Sequence, residues 1–301
     1  GDAMTTTMMQ RQESAWGFGG GDEIAPGLWA LELLGGGSRY EAYVAFDERL
    51  HHAVVVKVLR PDRVTDDGAL RGLADEAAVL GSLAHPAIAR LLRSSIDADR
   101  PHVVLEHVEG PRLSSLIRRF GPLETEQAAS LAVEVASALH YVHGQGFVHL
   151  DVKPKNLIMG APPRLIDLSI ARSLAAASDL DVPVGTDAYM APEQCTPSPG
   201  RVGPWADVWG LGVTLYEALA GKPAFPSGSR EGGALIEERF PQLVHRVTPL
   251  PVHVADELKG AVEAALAFEP ADRPSAAEVA DAVEPLLRRP RRLVLNLLKP
   301  R

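Results

Sequence analysis

The sequence predicts an α+β protein in two unequal lobes, a small strand-rich N-terminal lobe and a larger, mainly helical C-terminal one. Three observations carry this. Short apolar or alternating runs crowd the stretch from Leu28 to Val108, interrupted by one helical pattern. From Leu113 onward the apolar spacing is helical. The chain has 301 residues, and single cores stop growing at roughly 250–300 residues, which suits one large domain or two lobes sharing a cleft.

The elements follow in order. Residues 1–25 are polar and then Gly-rich, which predicts a disordered leader, with Gly1-Asp2-Ala3 ahead of Met4 reading as an expression scar. Leu28–Leu34, Tyr40–Phe46 and Ala53–Leu59 read as strands separated by Gly or polar turns. Ala69–Leu83 has helical spacing, and Leu91–Ile96 and His102–Leu105 return to strand. Leu131, Val135, Ala138, Leu139 and Val142 share one face of a helix over Glu124–Gly144, which Gly144 and Gly146 end. Pro204–Gly221, Val254–Phe268 and Ser275–Leu287 are also helical, the last with Ser275 and Glu278 spaced as a capping box. This gives a folded region over 26–288, with an N-lobe of about 26–106, a linker at 106–110 and a C-lobe over 111–288. The basic tail 289–301, with Arg288 at its edge, has an apolar centre too short to span a bilayer. It is read as solvated, packed on the domain, or bound to an acidic membrane surface.

Composition excludes some functions. A formal net charge of −9 argues against nucleic acid as a partner. No stretch reaches the length of a transmembrane segment, and there is no secretory signal. The single cysteine, Cys195, cannot form an intrachain disulfide; it fits a reducing, cytoplasmic setting and reads as a packing residue.

The chemistry concentrates in His149-Leu150-Asp151-Val152-Lys153-Pro154-Lys155-Asn156. The Asp151 carboxylate can accept the proton of an incoming hydroxyl. Lys153 can reach a transferring phosphoryl group. Asn156, together with Asp167 eleven residues further on, offers the oxygen ligands that a hard divalent cation shares with phosphates.

This stretch resembles the catalytic loop of protein kinases followed by their metal-binding Asp. The lysine two positions after Asp151 matches the Ser/Thr pattern, and the nearest likeness is to the bacterial, eukaryotic-like (Hanks-type) kinases of actinobacteria. The resemblance covers about Leu28 to Leu287 and implies the bilobal protein-kinase fold, ATP with Mg²⁺ (or Mn²⁺), and a protein substrate carrying Ser or Thr. It assigns Asp151, Lys153 and Asn156 to catalysis, and Asn156 and Asp167 to the metal. Leu34, Gly35, Gly36 and Gly37 match the Gly-rich hairpin, where backbone N–H groups can approach phosphates. Lys57, ending Val54-Val55-Val56, matches the lysine that holds ATP, with Glu76 its partner; Leu105, Glu106 and Val108 match the adenine hinge, with Ala42 and Val55 above the base and Ile158 below. Glu193 would pair with Arg273, and Asp207 would bind the backbone of the catalytic loop. Relatives of this kind often pair through the N-lobe, so a homodimer there is a further expectation.

Four departures from the pattern involve six positions. Tyr40 replaces the third glycine of the hairpin and can place a ring over the phosphates. Ala42 and Val55 exchange the usual valine and alanine, roughly conserving volume. Leu168 and Ser169 follow Asp167 where Phe and Gly are usual; Leu168 can still pack on His149 and Leu80, and Ser169 loses freedom at positive φ. Leu150 replaces the arginine that usually binds a phosphate on the activation loop. That loop, Ser169 to Val184, has no threonine, only Ser173 and Ser178 besides its first residue. The expectation is a kinase independent of activation-loop phosphorylation. The rivals are a pseudokinase that binds or scaffolds without turnover, and a small-molecule kinase, which the segment Ala191-Pro192-Glu193 disfavours.

Overall fold

The structure is a computed structural model, and it describes residues 15–287. The N-lobe is one antiparallel sheet in the order β1-β2-β3-β4-β6-β5. Its strands are β1 (Glu23–Ala25), β2 (Leu28–Gly36), β3 (Tyr40–Asp47), β4 (His52–Leu59), β5 (Leu91–Ser95) and β6 (His102–Glu106). Antiparallel hairpins let one face carry the core and the other meet solvent. Val54, Val56 and Val58 are buried on one face of β4 with Tyr43, Ala45 and Leu28. On the other side, helix α1 (Asp67–Ser82) packs Leu73, Ala77 and Leu80 against Leu59, Val103 and Leu105. Asp66 caps α1 by accepting the Ala69 amide at 2.7 Å.

The predicted leader needs correction over residues 15–25. Trp16 and Phe18 pack on the sheet core, Trp16 Nε1 donates to the Leu59 carbonyl at 2.7 Å, and Glu23–Ala25 form β1. The glycines that suggested mobility make a tight turn instead: Gly17 and Gly21 adopt positive φ, and the Gly21 amide donates to Ala30 O at 2.8 Å. The rest of the leader, 1–14, and the basic tail from 288 onward lie outside the described residues.

The C-lobe is built on helices α2 (Leu113–Phe120), α3 (Thr125–Gly144), α4 (Leu174–Ser178), α5 (Pro192–Cys195), α6 (Pro204–Ala220), α7 (Ile236–Arg239), α8 (Asp256–Ala265) and α9 (Ala276–Val283). Its core joins Leu131, Val135 and Leu139 of α3 to Leu211 and Leu215 of α6, Leu258 and Val262 of α8, and Val279 and Val283 of α9. All five residues predicted to share a face of α3 are buried. α6 is buried along most of its length and ends on Gly221 in the left-handed region, whose amide donates to Glu217 O. The Ser275–Glu278 capping box forms as predicted.

Two small ribbons in this lobe frame the residues predicted to carry the chemistry. β7 (Phe147–Val148) pairs with β10 (Arg172–Ser173), and β8 (Leu157–Ile158) pairs with β9 (Arg164–Leu165). The loop between β7 and β8 holds Asp151 to Asn156, and Asp167 follows β9 directly. Antiparallel pairing of β8 and β9 thereby brings together residues eleven apart in sequence; Ile166 N donates to Asn156 O at 3.0 Å.

Candidate active site

A cavity of about 420 Å³ lies between the lobes, within the range of small-molecule sites. Leu34, Gly35, Gly36 and Gly37 of the β2–β3 hairpin line it, with Ala42, Val55, Lys57, Leu105, Glu106, Val108, Asn156, Ile158 and Asp167. Of the predicted site residues only Glu76 and Asp151 lie off its wall. Glu76 stands behind Lys57, and Asp151 stands beside it through Lys153 and Asn156. The exchanged pair Ala42 and Val55 both line the cavity, as does Ile158.

Lys57 is buried within the apolar strand β4 and would be costly there alone. Its Nζ lies 2.6 Å from Glu76 Oε1 and 3.2 Å from Asp167 Oδ1. Burial alone would lower the lysine pKa; the carboxylates of Asp167 and Glu76 outweigh it and hold the ammonium well above its ordinary range. Burial likewise pushes on Asp167 in the upward direction, but the Lys57 charge and the Ser169 amide at 3.0 Å bring its carboxyl down to about 2. Burial raises the Glu76 carboxyl above its usual range, against the pull of the same ammonium.

Tyr40 also lines the cavity. Its ring lies on Lys57, with Nζ 4.0 Å from the centroid, and its hydroxyl makes a long 3.4 Å bond to Ser169 Oγ. It therefore joins the Gly-rich hairpin to the residue two after Asp167. Burial raises its phenol pKa. Leu168 is buried in the cluster that contains Leu80, as expected, and Ser169 keeps negative φ.

The loop from His149 to Asn156 is fixed from below. Asp207 on α6 accepts the amides of His149 and Leu150 at 2.8 and 2.7 Å, and His143 Nε2 lies 2.8 Å from it. Leu150 takes φ 67°, a conformation that costs an L-residue about 1–2 kcal/mol. The two Asp207 bonds, a 3.1 Å bond from Gln194 Nε2 to Leu150 O and burial of the side chain hold it there. Leu150 packs with Val148, Ala177 of α4 and the partly buried Ile170, Leu180 and Val184.

Within the loop, Lys153 Nζ sits 2.5 Å from Asp151 Oδ2 and 2.6 Å from Thr186 Oγ1. Thr186 donates to Asp151 Oδ1 at 2.6 Å. Asn156 Nδ2 donates to Asp151 O at 2.9 Å and to its Oδ2 at 3.1 Å. The amide nitrogen is thus committed to Asp151, which leaves Asn156 Oδ1 for another partner. Asp167 similarly spends Oδ1 on Lys57 and Ser169 and keeps Oδ2. One amide oxygen and one carboxylate oxygen at a cleft wall fit a hard divalent cation that takes its remaining ligands from phosphate and water. Among the described residues no cluster of three or more His, Cys, Asp or Glu side chains could hold a metal unaided.

Farther down, Glu193 and Arg273 form a two-pronged ion pair at 2.7 and 2.8 Å, as predicted. Four features are not foreseen from the sequence. Thr186 stands there only as a letter of a motif, with no sign that it partners Asp151. Arg230 and Arg239 both bind Asp187, and nothing in the sequence links positions so far apart. Gln194 ties Leu150 O to Val184 O. Arg112 and Lys155 line the cavity; their position beside the predicted hinge and catalytic loop is the available signal.

Comparison with known proteins agrees with this geometry. The family described as "Protein kinase domain" matches residues 29–283. The chain is 34% identical to the serine/threonine-protein kinase PknB of Mycobacterium tuberculosis over 209 residues, 66% of this chain and 33% of that one. It is 33% identical to PknB of Mycobacterium leprae over 204 residues, 64% and 32% of the two chains. A probable serine/threonine-protein kinase of Corynebacterium efficiens is 31% identical over 273 residues, 85% of this chain and 40% of that one. The chain thus spans about a third of the length of the first curated relatives it matches. Among the described residues no helix is long and apolar enough to cross a membrane.

Proposed function

The chain belongs to the protein kinase family, and from that premise we propose that it transfers the γ-phosphoryl group of ATP to Ser or Thr hydroxyls of proteins. The observation that carries the reading is the intact polar set around one cavity: Lys57 paired to Glu76 and Asp167, with Asp151 bonded to Lys153, Asn156 and Thr186. Phosphoryl transfer needs mostly positioning and electrostatics, and each of these groups supplies one part. Asp151 orients the acceptor hydroxyl and takes its proton. Lys153 offsets charge on the transferring group. Lys57 aligns the phosphates, fixed by Glu76. Leu105, Ala42, Val55 and Ile158 enclose the adenine, with the backbone of Glu106 and Val108 at its edge. Asn156 and Asp167 would hold Mg²⁺ or Mn²⁺, which neutralises phosphate charge when bound. ATP as co-substrate implies that the domain acts in the cytoplasm.

The same proposal includes independence from activation-loop phosphorylation. Leu150 cannot bind a phosphate. It anchors the loop instead by apolar packing on Ala177, Leu180 and Val184. Ser173 is already committed structurally, since its Oγ accepts the Ala176 amide at 3.2 Å as the cap of α4. Alanine there would cost about 1 kcal/mol of cap energy, so Ser173→Ala alone would confuse capping with phosphorylation.

The test is transfer of label from γ-³²P-ATP to a Ser/Thr peptide, using protein shown by intact mass to carry no phosphate. We expect turnover by this form, and a loss of at least about a hundredfold in Asp151→Asn. Absence of label with ATP still bound would favour the pseudokinase reading. Turnover that appears only after phosphate is added to the loop would defeat the claim of independence.

A further inference from the structure

We propose that this site selects protein substrates with acidic residues flanking the acceptor Ser or Thr, and that Arg112 and Lys155 are the specificity-determining residues. The inference rests on the phosphotransfer reading above and adds the substrate class.

Both cations line the interlobe cavity on its C-lobe side. Lys155 is exposed and lies one residue from Asn156, within the loop that carries Asp151. Arg112 reaches the same place by a different route. The chain leaving the hinge runs against β8: Met159 N donates to Pro111 O at 2.9 Å, and Arg112 forms an antiparallel bridge with Ile158. Gly110 permits this approach, since it sits at φ +124° and a Cβ would come within 3.0 Å of Met159 O. Cross-strand partners point to the same side, and Arg112 and Ile158 both face the cavity. Two cations far apart in sequence are therefore held by backbone at the lip beside the catalytic Asp.

Neither side chain has a hydrogen-bond or ion-pair partner among the described residues. That is unusual in this cleft. Lys57 is satisfied by Glu76 and Asp167, and Lys153 by Asp151 and Thr186. Glu109, the acid nearest Arg112 along the hinge, is exposed and does not line the cavity. The chain as a whole carries a net charge of −9, so an unpaired positive lip is a local exception to its overall field. Nucleotide phosphates are already met by Lys57, Lys153 and the cation site of Asn156 and Asp167. The open charge at Arg112 and Lys155 thus faces the second substrate. Complementary rim charges of this kind set partner choice and are sensitive to salt.

The test uses three peptides of equal length whose acceptor threonine is flanked on both sides by glutamates, glutamines or lysines. In wild type at low salt, kcat/KM should rank Glu above Gln above Lys, with about three- to tenfold between neighbours, and the spread should shrink in high salt. In Arg112→Glu/Lys155→Glu the ranking should invert. Reading the ratio between peptides on one preparation cancels any loss of folded enzyme, and Arg112→Gln/Lys155→Gln, which should flatten the ranking, serves if the reversal does not fold. Equal rates for the three peptides in wild type, an unchanged ranking in both variants, or an effect confined to KM for ATP would overturn the inference and leave the kinase reading standing. No transfer to any peptide by a protein that binds ATP would overturn both.

Discussion

Arg273 is the residue whose replacement tests the packing argument most sharply. Its side chain and that of Glu193 are both 0% exposed. All five guanidinium N–H groups find acceptors: Nε donates to Ala267 O at 2.8 Å, one terminal nitrogen to Glu193 Oε1 and Trp205 O at 2.7 and 3.0 Å, the other to Glu193 Oε2 and Phe268 O at 2.8 and 2.9 Å. The residue therefore ties α5, the start of α6 and the loop after α8 into one unit. Arg273→Met leaves the Glu193 carboxylate buried without a counter-charge, which costs about 3–5 kcal/mol. A domain of this size loses about 2–4 °C per kcal/mol, so the melting temperature should fall by roughly 6–20 °C. Arg273→Lys keeps the charge but offers three donors to five acceptors; with about 1–3 kcal/mol per stranded buried acceptor, stability should fall by about 3 kcal/mol. Removing both charges in Glu193→Leu/Arg273→Met should be less damaging than the sum of the singles by at least about 1 kcal/mol, though three carbonyls still lose their donor. Urea and thermal unfolding followed by circular dichroism read all four proteins. An Arg273→Met variant within about 1 kcal/mol of wild type, or strictly additive singles, would refute the claim that this pair is a buried, fully used hub.

Two further expectations concern the N-lobe. Tyr40→Leu removes the ring from Lys57, an interaction worth about 0.5–1 kcal/mol, so KM for ATP should rise about two- to fivefold; an unchanged or lower KM would show that the ring does not position the lysine. Asp47 is fully buried and ion-paired to Arg93. Burial pushes its carboxyl pKa up, but the Arg93 bond and the Arg49 and Leu50 amides outweigh that and hold it below its ordinary value. A depressed carboxylate stabilises the fold fully above its unfolded pKa of about 3.9, and that contribution is lost as pH falls through the lower folded value. Melting temperature should thus drop more steeply below about pH 4 in wild type than in Asp47→Asn, and parallel acid limbs in the two proteins would refute the assignment.

Most of the strand and helix positions are legible in the sequence because local pattern and burial agree there. The face of α3 and the Ser275 cap depend on residues within a few turns of each other, and both form as predicted. Lys57 with Glu76, and Glu193 with Arg273, are legible for another reason: an isolated charge in an apolar run must find a partner, and motif spacing names it. The failures share one cause. Gly17 to Gly21 look like a flexible leader because composition cannot distinguish a mobile glycine from one that a turn requires. Only the packing of Trp16 and Phe18 on the sheet decides it. Cys195 reads as a packing residue, and it is buried with Met190 and Phe240, but the contact with Phe240 depends on a chain segment about forty-five residues away.

Tyr40 makes the same point inside the site. As a letter in a glycine-rich motif it signals only a missing glycine. Its consequence comes from three chain segments meeting: β3 supplies the ring, β4 the ammonium beneath it, and the loop after β9 the Ser169 hydroxyl. The substitutions Tyr40 and Ser169 then stop looking like two independent losses from a kinase pattern. They form one contact, which links the Gly-rich hairpin to the segment carrying Asp167. Two departures that compensate each other argue for a retained, remodelled site more strongly than two that merely coexist.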